Sequence, residues 1–104
     1  MTTPIRTLAL LLLLALPTTA AQQGIQDELL DHLAGHWLMT GTIAGGQVSH
    51  DLDAEWVLGH QYLRFHELAR ELDEDGNPAY EAIVFIGWNQ TLGQYTCLWL
   101  DVTG

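Results

Sequence analysis

The sequence predicts a mainly β domain, an antiparallel meander of about five strands that follows one short helix. Three observations support this prediction. Apolar and polar residues alternate with a period of two through most of the chain, and turn-forming residues separate these runs at regular intervals. In addition, no strand–helix–strand repeat is present, which argues against a parallel sheet.

Composition excludes several classes of protein. The chain has 104 residues, 48% of them apolar and 15% charged, so it can pack a core and holds one domain at most. It carries 13 acidic residues against 3 basic ones, all arginine, and its net charge is -10. So few positive charges cannot follow a phosphate backbone or an anionic lipid surface. We therefore expect no nucleic-acid partner.

Residues 1–21 have the pattern of a secretory signal peptide. Arg6 precedes the nine apolar residues LALLLLLAL, and small residues follow up to Ala20 and Ala21. This apolar run is too short to cross a bilayer, which takes roughly 20 residues. We expect cleavage after Ala20 or Ala21, with Ala21 favoured. The mature domain, 22–104, is then a secreted or periplasmic protein without a membrane span.

The predicted helix comes first in the mature domain. Apolar residues at 25, 29, 30 and 33 follow the helical period, and Gly35 ends the pattern. Five predicted strands follow, over residues 36–43, 47–58, 61–71, 80–88 and 94–102, and residues 73–78 form a hairpin loop rich in turn formers. In the second strand three acidic side chains share one face, which is typical of a solvated outer surface: Asp51, Asp53 and Glu55.

Cys97 is the only cysteine of the chain. An internal disulfide is therefore impossible, and the exported domain must be stabilised by its core alone. Because Cys97 lies in the apolar fifth strand, we expect its thiol to be buried.

A family resemblance rests on several short segments. Gly35-His36-Trp37, directly after the helix, resembles the Gly-x-Trp of lipocalin-like (calycin) barrels, whose Trp plugs the closed end of the barrel. Later segments are similar to a group of exported bacterial proteins classed as a lipocalin-like domain of unknown function, and they are EWVLG (55–59), Tyr62-Leu63, Pro78-x-Tyr80-Glu81, IGWN (86–89), Tyr95 and Trp99-Leu100-Asp101. The resemblance covers nearly all of residues 28–104. It implies structural roles for Gly35 and Trp37.

Members of that group continue with further strands beyond the turn at which this sequence stops, Gly104. Five strands cannot close such a barrel, since roughly 8 are needed to enclose a small ligand. The last strand, which holds Trp99, is thus expected to be an apolar edge open to pairing. We expect a truncated reading frame, a fragment or a dimer completed by strand exchange, and truncation is favoured.

The histidines and acidic residues predict neither a metal site nor a cofactor. His32 and His36 have the spacing of two ligands on one helical face, but Gly35 ends the helix between them. A site from the other three histidines, His50, His60 and His66, needs a fold that brings them together. Asp73, Asp75 and Asn77 mimic the start of a calcium loop, but the positions of the loop's glycine and final glutamate hold Pro78 and Val84.

No constellation predicts an enzyme. Ser49, His50 and Asp51 are consecutive strand residues, so they point to alternate faces and cannot form a catalytic triad. Cys97 has no basic neighbour that would lower the pKa of its thiol. We therefore expect neither a catalytic residue nor catalysis.

The aromatic residues allow a binding function beside core packing. A pocket for an apolar ligand is predicted from six residues, Trp56, Tyr62, Arg64, His66, Tyr80 and Trp88. A buried Arg64 would favour a carboxylate-bearing ligand, whereas the alternative is that it pairs with a surface acid such as Glu55.

We expect an exported lipocalin-like protein that binds a small hydrophobic or amphipathic ligand. The alternative is a structural or interaction protein completed by strand pairing with another chain, for example as a homodimer through the exposed edge strand.

Overall fold

The fold is one open, five-stranded antiparallel sheet with a short helix before it. A computed structural model describes residues 24–104, and the predicted signal peptide, 1–21, lies outside them. The elements are α1 (Glu28–Leu33), β1 (Gly35–Ile43), β2 (Gly46–Val57), β3 (Tyr62–Ala69), β4 (Glu81–Asn89) and β5 (Gln94–Asp101). The strands lie side by side in sequence order, which confirms the predicted mainly β meander.

The helix begins three residues later than its apolar pattern predicts. Asp27 is the N-cap, with an extended backbone, and its carboxylate accepts a hydrogen bond from the Leu30 amide at 2.9 Å. Residues before Asp27 therefore lie outside the helix, although Ile25 continues the apolar period. The Ile25 amide instead donates to the carbonyl of His60 at 2.7 Å, which anchors the start of the domain beside the β2–β3 turn.

Alternation along the strands divides the sheet into two faces. The face on which α1 packs, called the helix face, holds the core around Leu30, whose buried members are Ala54, Leu63, Phe65, Ala82 and Val84. Leu63, on the central strand β3, is fully buried. The core is small because the one helix that packs on this face has only six residues.

The opposite face, called the outer face, carries paired charges on β2, on β3 and at Arg70, the residue after β3. Arg64 contacts Glu55 at 2.5 Å, and Arg70 contacts Asp51 at 2.9 Å. Asp53 hydrogen-bonds His36 of β1. The three acidic residues of β2 thus lie on a solvated surface, as their alternation predicts, and each has a cross-strand partner.

Two hydrogen bonds, one from an indole and one from a hydroxyl, hold α1 against the two edge strands. The Trp37 indole on β1 donates to the carbonyl of Leu33, in the last turn of the helix, at 2.8 Å. The Tyr95 hydroxyl on β5 donates to Asp27 at the other end. Gly35 joins α1 to β1 with a backbone φ of 127°, a value that favours glycine.

The prediction that Cys97 is buried is wrong. Its thiol is exposed, and three β5 residues that follow it are more than half exposed, Leu98, Trp99 and Leu100. The physical reason is position, because β5 is an edge of the sheet formed by residues 24–104 and α1 reaches only its Tyr95 end. Apolar sequence predicts burial only where another element covers the strand.

Among the described residues, no helix has the length and apolar character needed to cross a membrane.

Candidate functional site

The helix face carries two adjoining cavities. The first, called the apolar chamber, has a volume of about 350 Å³ beside α1, and its apolar lining is Leu33, Met39, Leu52, Phe65, Val84 and Ile86. The second, called the polar chamber, has a volume of about 430 Å³ and lies farther from α1, and its lining includes Ile43, Val48, His50, Glu71 and Tyr80. Glu67 and Trp99 line both chambers, so the two adjoin, and together they are called the groove.

A buried histidine–glutamate pair forms the floor of the polar chamber. His50 of β2 and Glu67 of β3 are only 8% and 9% exposed, and His50 Nδ1 lies 2.7 Å from Glu67 Oε1. The register of the two strands places them together, because His50 is opposite Ala69 and Glu67 is its diagonal neighbour on the same face. A polar pair this well buried is uncommon unless its members satisfy each other's hydrogen bonds.

Tyr80 and Trp99 form the aromatic side of the polar chamber. The Tyr80 ring stacks on His50, with ring centroids 5.7 Å apart and planes at 21°. Its hydroxyl donates to Asp101 Oδ2 at 3.2 Å. The Trp99 indole N–H lies 3.2 Å from each of the same two oxygens, the Tyr80 hydroxyl and Asp101 Oδ2, and donates to them. Burial raises the pKa of Tyr80, so this hydroxyl stays protonated and keeps its donor role at neutral pH. These hydrogen bonds hold both rings in place.

Glu71 contributes a second carboxylate. Its Oε1 accepts a hydrogen bond from the Ser49 amide at 2.7 Å. Its Oε2 is buried, and no hydrogen-bond partner for it occurs within residues 24–104. The amide of Glu71 itself and that of Ser49 lower the pKa of this carboxyl, so it is ionised at neutral pH. One oxygen of an ionised carboxylate beside the polar chamber is therefore covered by protein atoms without a hydrogen-bond partner among the described residues.

The six residues predicted from the sequence to bind a ligand lie on opposite faces of the sheet. Trp56, Tyr80 and Trp88 belong to the helix face, and of these Tyr80 lines the groove. Trp56 stacks on His60 at 3.8 Å and donates to Asp31 of α1, so it anchors the helix. Trp88 packs edge-on against Tyr95, beside the other end of α1, with ring centroids 5.0 Å apart.

Tyr62, Arg64 and His66 belong to the outer face. Arg64 pairs with Glu55, and His66 lies 2.5 Å from Glu81 of β4. The Tyr62 ring covers Gly87, where an added Cβ would come within 2.7 Å of ring carbons. The structure therefore does not bring these three side chains to the groove. Their place follows from the period of two, since they alternate with the buried residues of β3.

Sequence reasoning missed four residues of the polar chamber, namely His50, Glu67, Glu71 and Trp99. One signal was available for Glu67, because this acidic residue occupies an apolar position in the alternating series Leu63, Phe65, Glu67, Ala69. A charged residue on an apolar stripe indicates a buried partner or a site. His50 likewise occupies an apolar position, between Val48 and Leu52 in the alternating series of β2.

The groove offers groups for binding. The described residues that line it include carboxylates, aromatic rings and aliphatic side chains, and no serine, threonine or cysteine. Across residues 24–104, no three His, Cys, Asp or Glu side chains are grouped in a way that could hold a metal ion.

Comparison of the chain with protein-family profiles, curated proteins and solved structures finds no match.

Proposed function

We propose that the protein binds a small amphipathic ligand in the groove of the helix face. The observation that carries this proposal is the pair of adjoining chambers, one apolar and one polar, which share Glu67 and Trp99. Ligand pockets are typically about 300 to 1,000 Å³ in volume and combine apolar walls with a few placed polar groups. Both chambers fall in this range, and their different linings suit the two ends of an amphipathic molecule.

The apolar chamber provides the driving force for binding. Its lining side chains come from α1 and from all five strands, and several are partly exposed, including Met39 at 39%. Covering such surface with an apolar tail gains roughly 25 cal/mol per Å² before the costs of association are subtracted. The polar chamber then fixes the orientation of the ligand through hydrogen bonds.

Two sequence features support the same proposal. The resemblance of Gly35-His36-Trp37 and the later segments to lipocalin-like barrels favours a ligand-binding role. The signal-peptide pattern of residues 1–21 favours a role outside the cytoplasm, in the periplasm or the medium.

A fluorescent probe tests the proposal with a matched pair of variants. N-phenyl-1-naphthylamine, a neutral apolar dye that brightens on leaving water, is titrated against the protein. Met39→Asp places a charge in the apolar chamber, whereas Leu38→Asp places it on the outer face of the same strand. We expect one dye per chain and a loss of affinity of about tenfold or more for Met39→Asp only. Absence of binding, or an equal loss in both variants, contradicts the proposal.

A second candidate function, assembly with another chain through β5, is favoured by one observation. Leu98, Trp99 and Leu100 are between 52% and 55% exposed, and the sheet of the described residues leaves this strand unpaired on one side. An apolar edge of this kind is a template for strand pairing. Sedimentation velocity over a range of concentrations tests it. A dimer that Leu98→Lys dissociates supports assembly, and a monomer at every concentration contradicts it.

A further inference from the structure

We propose that the polar chamber holds a protonated amine, so that the ligand is an alkyl or aryl-alkyl ammonium compound and not a fatty acid. This inference rests on the proposed function and specifies the head group that the same groove takes. Three features of the chamber support it, namely the sign of its charge, a carboxylate oxygen without a hydrogen-bond partner among residues 24–104, and its aromatic side.

The charges around the groove favour a cation. Glu67 and Glu71 line the polar chamber, and Asp101 lies just behind Tyr80 and Trp99. In the described part of the chain, both arginines lie on the outer face, where Arg64 pairs with Glu55 and Arg70 with Asp51, and there is no lysine. A carboxylate in the chamber would lose water and gain repulsion, whereas an ammonium ion meets charges of opposite sign.

His50 does not reverse this preference. Its Nδ1 is bonded to Glu67, and its ring lies beneath Tyr80. Any positive charge on the His50 ring lies 2.7 Å from the Glu67 carboxylate, which offsets it, while Glu71 remains ionised. The chamber is therefore negative in either state of the histidine, because none of its other lining residues carries a positive charge.

Glu71 supplies an acceptor that the fold leaves unused. Its Oε1 is taken by the Ser49 amide, and its buried Oε2 has no partner among residues 24–104. Leaving a charged acceptor unsatisfied away from water is costly. Protein atoms cover Oε2 in this structure, so a bound group reaches it only when the carboxylate turns toward the chamber, and an ammonium group, with three N–H donors and no acceptor, suits that oxygen. A neutral alcohol offers only one donor.

The aromatic side chains complete the site for a cation. Trp99 and Tyr80 both line the chamber, and the hydrogen bonds to Asp101 fix their rings. A cation over an aromatic face is attracted by the ring quadrupole, most strongly by tryptophan, with a gain of roughly 0.5 to 2 kcal/mol. Because Trp99 also lines the apolar chamber, an amine at its ring has its tail directed into the apolar lining.

Three ligands with the same octyl tail test the inference, namely octylammonium, octanol and octanoate. Affinities are measured on the full chain by calorimetry below the micelle concentration. We expect octylammonium to bind about tenfold or more tightly than octanol, and octanoate to bind most weakly. Glu71→Gln and Glu67→Gln should each reduce this preference, and Glu71→Gln keeps the test valid if loss of the buried Glu67 charge prevents folding. Glu74→Gln, in the exposed 73–78 loop, removes the same charge away from the groove.

The outcomes separate this inference from the proposed function. Tighter binding of octylammonium that Glu71→Gln weakens and Glu74→Gln does not supports an amine site. Equal affinity for the three ligands, or a preference for octanoate, overturns the amine site and leaves the binding groove intact. An equal effect of Glu71→Gln and Glu74→Gln also overturns it, because the preference then reflects only the net charge of -10. Absence of binding by all three overturns both.

Discussion

The hydroxyl of Tyr95 on β5 donates a hydrogen bond to the carboxylate of Asp27, the residue that caps α1, across 68 positions of sequence. At the other end of the helix, the Trp37 indole of β1 holds the carbonyl of Leu33. The two edge strands of the open sheet are therefore joined through a helix of six residues. Because Leu33 also lines the apolar chamber, these contacts close one end of the groove.

Tyr95→Phe should raise the pKa of Asp27. The Tyr95 hydroxyl is the main cause that lowers the pKa of this carboxyl below its ordinary 3.8, and the Leu30 amide adds to the effect. We expect the pKa to move toward 3.8 and to remain below it, since the Leu30 amide still donates. Carbon-detected NMR titration of Asp27 measures the change. Tyr62→Phe, on the outer face, is the control, and an unchanged Asp27 pKa in Tyr95→Phe contradicts the contact.

Trp37→Phe should destabilise the domain by about 1 kcal/mol through loss of the hydrogen bond to Leu33, beyond the effect of the smaller ring. Trp88→Phe is a matched control, because Trp37 and Trp88 are both 41% exposed and no hydrogen bond of the Trp88 indole occurs within the described residues. The free energy of unfolding is measured in urea. Equal losses in the two variants would show that the indole hydrogen bond contributes nothing.

Leu63→Ala should destabilise the domain by about 2 to 5 kcal/mol, because it empties a site at the centre of the core. Leu63 is fully buried among Leu30, Ala54 and Val84, whereas Leu72 is 65% exposed. Leu72→Ala should therefore change the free energy of unfolding by less than about 0.5 kcal/mol. A small domain has a total stability of only about 5 to 15 kcal/mol, so Leu63→Ala should leave a visibly unfolded fraction. Similar stabilities of the two variants would place the core elsewhere.

The domain should lose stability in acid. Four carboxyls have a pKa below the ordinary value in the folded state, lowered mainly by hydrogen bonds, and they are Asp27, Asp51, Glu71 and Asp101. The unfolded chain therefore binds more protons than the folded chain in acid. The four carboxylates contribute fully to the free energy of unfolding above the ordinary pKa values, 4.5 for Glu and 3.8 for Asp. This contribution disappears as the pH falls through the lowered pKa values of the folded state. Urea midpoints measured across this range should fall steadily, and Glu71→Gln should show a shallower decline.

Cys97 should react in the folded protein. Its thiol is exposed on the edge strand β5. A small thiol reagent in excess should therefore modify the native chain about as fast as the chain in denaturant at the same pH. Protection of the thiol in the native chain, lifted by denaturant, would indicate that another surface covers β5.

The sequence predicts the structure correctly where the local pattern of residues decides it. The strand alternation and the turn-forming loop 73–78 predict the meander, and the acidic positions of β2 predict the outer face. The 73–78 loop shows why, since Asp73 accepts hydrogen bonds from the amides of Asp75 and Asn77, all within a few residues. Burial of Cys97 was a wrong prediction because it depends on what covers β5 and not on the residues of β5 themselves.

The sequence by itself determined the order of the strands and which side chains of one strand share a face, because the first follows from short turns and the second from the period of two. Only the tertiary structure decided the site. The contact between His50 and Glu67 depends on the register of β2 against β3. Trp99 reaches the same groove because β4 pairs with β3 and β5 pairs with β4. Register and curvature are properties of the whole sheet, so residues distant in sequence share a groove that no single segment predicts.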